Sequence, residues 1–392
     1  MHRRLALAAL PLLSAPWAAA RAQPVQEWRV GAVFPLSGAQ ALLGDEALRG
    51  LEMAVEERNA AGGRPARLLR ADATEATAAL AEARRLIQQE RCSVLFGSVA
   101  ATVGLAALQA AEALETPYVE LASPAEALAE RGARQFLRAA PRAAEFGRLA
   151  QSVLTQLLPG LLSLPADAQR VALLHEQGAT PESLAAAIEA PLREAGIVIA
   201  ERLAHPPRSP EWPALAQRLR AAGVTVLLHA GGETDALALL RALADAAWRP
   251  RAVIGVGAAW GLAELGRAGG AAVDGAFALD VPPIESSPAW AQGARRFAEA
   301  YQRRWGSAPR SALSLAAYSG ARVVLGLPSL ERVAVRPALA ALDQPGGSLP
   351  NGWGWRLDDR GQNTRAKPVL LQWQAGRPVA VFPPEAAAAA PV

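Results

Sequence analysis

Cysteine is almost absent. Cys92 is the only one in 392 residues, which rules out an intrachain disulfide, and no cysteine stands near the N-terminus to carry a bacterial lipid anchor. Lysine is equally scarce: Lys367 is alone among 40 basic residues, far from any glycine-rich loop, so a Walker-type phosphate loop is excluded. Four histidines, one of them His2, leave His175, His205 and His229 with no pair at metal-ligand spacing, and no metal or cofactor is expected. No Gly-x-Ser-x-Gly elbow and no His-Glu-x-x-His occur either, which removes the common hydrolase signatures. Aromatic residues make up 5% of the chain and charged residues 19% against 52% apolar, the balance of a folded globular protein. At this length two cores are expected rather than one.

Nor is there a strong charge of one sign. The formal +4 includes Arg3, Arg4 and Arg21, and without them 37 basic groups face 36 acidic ones. Acids and bases are interspersed, so no basic surface for nucleic acid is expected. The first 22 residues read as an export leader: His2-Arg3-Arg4, an apolar stretch from Leu5 to Trp17 broken by Pro11 and Pro16, then Ala20-Arg21-Ala22 as a cleavage site. That apolar stretch is too short to span a bilayer. The paired arginines leave general and twin-arginine export both open. A periplasmic protein is expected.

From Trp28 onward, short apolar runs alternate with amphipathic stretches, the mark of βα units. Strands are predicted over 29–34, 66–71, 93–97 and 117–121, with helices between them presenting Leu48, Leu51 and Val55, or Leu80, Ala83 and Ile87, on one face. After a connecting stretch over 141–168, read mostly as one long helix, a second series follows at 171–174, 197–203, 224–229 and 252–256. Thr180-Pro181-Glu182 and Ser209-Pro210-Glu211 look like helix starts, each with a capping hydroxyl before proline. Further on come a strand candidate at 271–279, helices near 288–305, 311–327 and 336–342, and strands at 353–357, 368–373 and 379–382. From Pro383 the alanine-rich tail is expected to be disordered. Cys92, at the mouth of the third strand, reads as buried filler rather than as a nucleophile. Gly255-Val256-Gly257-Ala258-Ala259-Trp260-Gly261 follows a predicted strand, but its spacing departs from the dinucleotide fingerprint. A tight glycine turn is the preferred reading and a dinucleotide-dependent oxidoreductase the lesser one.

In open α/β sheets ligands bind beyond the carboxyl ends of the strands, where helix N-termini present unpaired N–H groups. Two such rims facing one another would make a cleft, lined by the loops after Pro35, Gly97, Leu121, His175, His229 and Val256.

Several segments carry a resemblance: Val30-Gly31-Ala32-Val33-Phe34-Pro35-Leu36-Ser37-Gly38, the stretch from Leu48 to Asn59 ending Ala60-Ala61-Gly62-Gly63, Phe96-Gly97-Ser98, Tyr118-Val119-Glu120-Leu121-Ala122-Ser123-Pro124, His175-Glu176, and Asp358-Asp359-Arg360-Gly361-Gln362-Asn363. In order and spacing the chain resembles periplasmic type I solute-binding proteins of ABC transporters, in the leucine/isoleucine/valine-binding branch. The resemblance implies an α/β fold of two doubly wound parallel-sheet lobes joined by three hinge crossovers, placed near Pro141, Phe277 and Gln344. One lobe would hold 27–141 and 277–344, the other 142–276 and 345–382, with 383–392 a tail. It further implies a monomer that is not an enzyme, closes on a small molecule and hands it to an ABC permease and ATPase complex in the inner membrane. The same module can also serve as the ligand-sensing subunit of a signalling receptor.

By the same resemblance the candidate ligand-binding residues are Ser98, Ala101, Thr102, Ala122, Ser123, Thr180, His229, Gly257 and Trp260. The serine that takes a ligand carboxylate in amino-acid-binding relatives falls on Ala101, beside Thr102. Ser123 matches the next contact, and Ser123-x-x-Glu126 also fits a capping box, so both roles stay open. The family's aromatics fall on Leu43 and Thr180 and its ammonium-binding acid near Gly257, leaving a standard α-amino acid doubtful. Glu233 could stand in for that acid, although an exposed helix start is the plainer reading. His229 and Trp260 either contact ligand or pack at the sheet rim. The expected ligand is a small carboxylate or amide, held by hydroxyls and helix N-termini between apolar walls from Leu36, Leu43 and Val99.

Overall fold

The computed structural model describes residues 27–392; the leader and its cleavage after Ala22 lie outside the described residues. Five parallel strands form the first sheet, β1 (Trp28–Phe34), β2 (Ala66–Asp72), β3 (Val94–Gly97), β4 (Tyr118–Glu120) and β5 (Phe136–Arg138), in the order β2-β1-β3-β4-β5. Both faces of the sheet are covered, which is why its strands lack polar alternation. Val30, Ala32, Phe34, Phe96 and Val119 pack toward the helices Ala41–Ala60 and Leu313–Leu325. Val33, Leu95 and Tyr118 pack toward Ala76–Gln88 and Ala101–Ala113.

The second sheet has seven strands in the order β12-β11-β10-β9-β8-β6-β7. β6 (Arg170–Glu176), β7 (Val198–His205), β8 (Val226–Ala230), β9 (Ala252–Val256) and β10 (Phe277–Asp280) are parallel; β11 (Val369–Gln374) and β12 (Arg377–Phe382) are antiparallel additions at one edge. Alternate residues again serve two cores. Val171, Leu173 and Ile254 pack with the helix Ala179–Glu194, while Ala172, Leu174 and Val253 pack with Trp212–Ala221 and Glu233–Asp245.

Several expectations need correcting. β5 was not anticipated, because it is three residues long and contains Arg138. That side chain is fully buried, its guanidinium donating to the carbonyls of Pro124 and Ala125, and burial lowers its pKa to about 10. The strand expected over 271–279 begins only at Phe277, after a 3-10 turn at Gly270–Ala272. Trp353 and Trp355 lie in an irregular segment, not a strand, held by bridges from Gln344 to Trp355 and from Leu357 to Asn363; both indoles are buried in the first lobe's core.

The lobe boundaries shift accordingly. Ala140 packs in the first core and Ala143 in the second, so the chain changes lobe between them. Phe277–Asp280 belongs to the second sheet, not to the first lobe, and the return comes at Val281, which joins the first core. Leu349, Trp353, Trp355 and Ala366 also pack in the first core, and Gln362 bridges to Arg138. The last crossover therefore lies between Ala366 and Val369, well past Gln344. The tail from Pro383 is packed rather than disordered: Ala386 is buried, and the Gln372 amide donates to the Val392 carbonyl at 2.8 Å and accepts from its N–H at 2.9 Å. Gln372 projects from β11, so the tail is held by a rigid strand. No helix among the described residues is long and apolar enough to cross a membrane.

Candidate functional site

The carboxyl ends of β1, β3 and β4 face those of β6, β8, β9 and β10 across a cavity of about 360 Å³, lined from both lobes. The first lobe contributes Gly38 to Gln40, Leu42, Leu43, Val99, Ala122, Pro124 and Leu313, none of them charged. The second contributes apolar Phe146, Leu184 and Val256, and a charged group of Glu176, Arg208, Glu233, Asp235 and Asp280. Among the hydrogen bonds that cross between lobes beside the cavity, the Ala101 N–H donates to the Thr180 hydroxyl at 3.1 Å, the Glu126 N–H to the Ser183 hydroxyl at 3.1 Å, and the Ala144 N–H to the Glu126 carboxylate at 2.7 Å.

Of the expected ligand contacts, Ala122, Thr180 and Gly257 line this cavity, as do Leu43, Val99 and Glu233. Ser98, Ala101, Thr102, Ser123, His229, Trp260 and the wall residue Leu36 lie outside the lining. Thr102 sits exposed on the first turn of its helix. Thr180 does not cap its own helix, which starts at Ala179 without a side-chain cap; it reaches the other lobe.

Ser98 and Ser123 both bond Glu120, the last residue of β4. This carboxylate is fully buried and accepts from the N–H groups of Ser98 at 2.6 Å, Ser123 at 2.8 Å and Ala122 at 3.0 Å through one oxygen. Its other oxygen meets the hydroxyls of Tyr118 at 2.9 Å and Ser98 at 3.0 Å. Burial pushes the Glu120 pKa above the ordinary carboxylate value, against which the backbone donors act. These backbone N–H groups thus already serve a carboxyl group of the protein's own. Ser123 forms no capping box, since Glu126 precedes the helix Ala127–Glu130 without a side-chain cap, and its buried hydroxyl has no partner among the described residues.

Trp260 and His229 belong to the core. Gly255 leaves room for the indole of Trp260, onto which a Cβ at 255 would collide, and Gly257 turns the chain at φ +96°. The glycine motif therefore serves packing and a turn. The Trp260 N–H donates to Nδ1 of His229 at 3.2 Å, and Nε2 of His229 faces Nε2 of His205 at 3.0 Å. Nδ1 of His205 meets the Pro206 carbonyl at 2.9 Å. One arrangement satisfies all three contacts: both rings neutral, each passing a proton toward Pro206. Burial, then the neighbouring His205 and His175, lowers the His229 pKa to about 3, consistent with a neutral ring.

Asp280 was missed. It ends β10 and lines the cavity, with one oxygen accepting from the Val281 N–H at 2.7 Å and the other without a partner among the described residues. Burial raises its pKa to about 7. An acid between a strand and Pro282-Pro283 is the available signal, but a crossover expected near Phe277 puts it outside the second sheet. Beside it, Glu176 accepts from the Gly232 N–H at 2.8 Å, and buried Asp235 is committed to Arg208, Ser209 and Trp212.

Residues 27–377 match the family model described as periplasmic binding protein. The chain belongs to that family. It is a solute-binding protein of the type I fold and not an enzyme. A relative named Leu/Ile/Val-binding protein homolog 7 from Brucella abortus (strain 2308) is 33% identical over 98% of this chain and 96% of its own length. Homolog 8 from Brucella suis is 32% identical over 92% of each. Among solved structures, the leucine binding protein LivK from Thermotoga maritima superposes with a TM-score of 0.76 at 19% identity, covering 91% of this chain and 98% of that one. A putative branched-chain amino acid ABC transporter protein from Silicibacter pomeroyi gives 0.78 at 18% identity over 93% and 98%. These likenesses establish the fold.

Proposed function

We propose that this periplasmic binding protein is exported, captures a small amino-acid-like solute in the interlobe cavity by hinge closure, and delivers it to a membrane permease with its ATPase. The observation that carries the reading is the cavity itself, lined by strand ends of two lobes that three chain crossovers join and hydrogen bonds fasten beside it. Its size suits a solute of few carbons, and apolar walls from Leu43, Val99, Phe146 and Leu184 suit a short aliphatic body. The names of the 33% and 32% identical relatives point the same way. Thermal-shift screening against leucine, isoleucine, valine and a library of small acids, amides and amines should raise the melting temperature for at least one class. Absence of any response across the library would overturn the reading. Delivery is tested by uptake of the responding solute in cells lacking this gene, where retained uptake would count against it.

A further inference from the structure

We propose that the solute taken by this cleft is a short aliphatic amine, recognised through its ammonium group by Asp280 and the acidic second-lobe wall, with no carboxylate required. This rests on the solute-capture reading above and narrows it.

Three independent observations converge. The first is the unpartnered oxygen of Asp280 in a side chain only 1% exposed. A buried carboxylate oxygen without a donor is costly, and an N–H-bearing cation is the complementary group. Gly261, outside the cavity lining, lies against this oxygen, and a Cβ there would come within 2.5 Å of it. The second is the charge of the lining. Glu176, Glu233, Asp235 and Asp280 face one base, Arg208, which sits on an exposed loop, and the first-lobe lining holds no charge; of the four acids only Asp235 is committed to several internal donors. The third is the state of the donors that would otherwise take a carboxylate. Ala101 gives its N–H to Thr180, and Ser98, Ala122 and Ser123 give theirs to Glu120. These four backbone donors are thereby engaged within the protein, while one oxygen of Asp280 is left open.

The test uses three molecules of one carbon skeleton: leucine, isopentylamine, which lacks its carboxylate, and 4-methylpentanoate, which lacks its ammonium. Titration calorimetry on the full mature chain should show isopentylamine binding at least tenfold tighter than 4-methylpentanoate. Asp280→Asn should weaken the amine at least tenfold and leave the acid unchanged. Gly261→Ala, which crowds the same oxygen, should act likewise and serves as the second variant should Asp280→Asn fail to melt cooperatively. Tighter binding of the acid, or an amine affinity indifferent to both substitutions, overturns the proposal. Should none of the three bind, the wider library decides: responses confined to anionic or neutral compounds overturn the amine assignment while solute capture stands, and no response in any class removes the capture reading beneath it.

Discussion

Asp280 carries a stability signature separate from any ligand. Unfolded, its carboxyl titrates near the ordinary 3.8; folded, burial raises it to about 7. Between those values the folded state holds a proton that the unfolded chain has released, so this group's contribution to stability is greatest below pH 4 and falls as pH rises toward 7. Asparagine has the same shape and cannot ionise. The melting temperature of Asp280→Asn relative to the parent should therefore climb between pH 4 and 8, by an amount worth roughly 1–4 kcal/mol. Calorimetric scans of both proteins across that range check it, and a difference that stays flat with pH would show that the carboxyl is not desolvated. Glu120 differs in having both oxygens hydrogen-bonded. Its carboxylate satisfies three backbone N–H groups at once, so Glu120→Ala leaves buried donors unpaired and should lower stability by about 3–5 kcal/mol. A denaturant midpoint within error of the parent would refute the nest as a structural anchor.

At the scale of elements, what could be read in the sequence followed burial. β1, β3, β8 and β9 are apolar on both faces and stand out as runs, and the helices between them show their period. β5 does not stand out, since an arginine whose charge is met by carbonyls of a distant loop is indistinguishable in sequence from a solvated one. The segment holding Trp353 and Trp355 failed in the other direction, because two alternating indoles imitate a strand while each is in fact fixed by a hydrogen bond, to the carbonyls of Lys367 and Leu339. Capping chemistry misled where a long-range partner won: Thr180 looks like a local cap and bonds the other lobe. The turn after β9 shows the limit of motif reading as well. Gly255 is required by Trp260, whose indole lies against it and is fully buried. Gly255→Ala should therefore cost about 1–3 kcal/mol through overpacking, read as a lowered urea midpoint with altered tryptophan emission. An unshifted midpoint would mean that the indole has somewhere else to go.

For the whole molecule, the two-lobed plan was legible from the recurrence of βα units, but the crossovers were not, because a chain leaves a sheet where packing partners change and not where composition does. Val281 and Ala366 mark those points only once their neighbours are known. The same plan makes lobe contact a two-state quantity. In addition to the Ala263 N–H on the Arg310 carbonyl and the Arg310–Glu264 ion pair, the lobes are fastened beside the cavity by the Ala101 N–H on Thr180 and the Glu126 N–H on Ser183. When the lobes part, these N–H groups gain water, so each bond is worth only its net value, about 0.5–1.5 kcal/mol. Together they bias closure by roughly 1–3 kcal/mol, enough to move a population between mostly closed and mostly open. Thr180→Val with Ser183→Ala removes both acceptors without touching Asp280 or the hinge segments. The ligand-free double variant should give a larger radius of gyration by X-ray scattering than the parent, and the two should converge when saturated with whichever solute the thermal screen identifies, at an affinity weakened by about five- to a hundredfold. Superimposable scattering with equal affinity would show that closure is governed by the hinges and the solute alone.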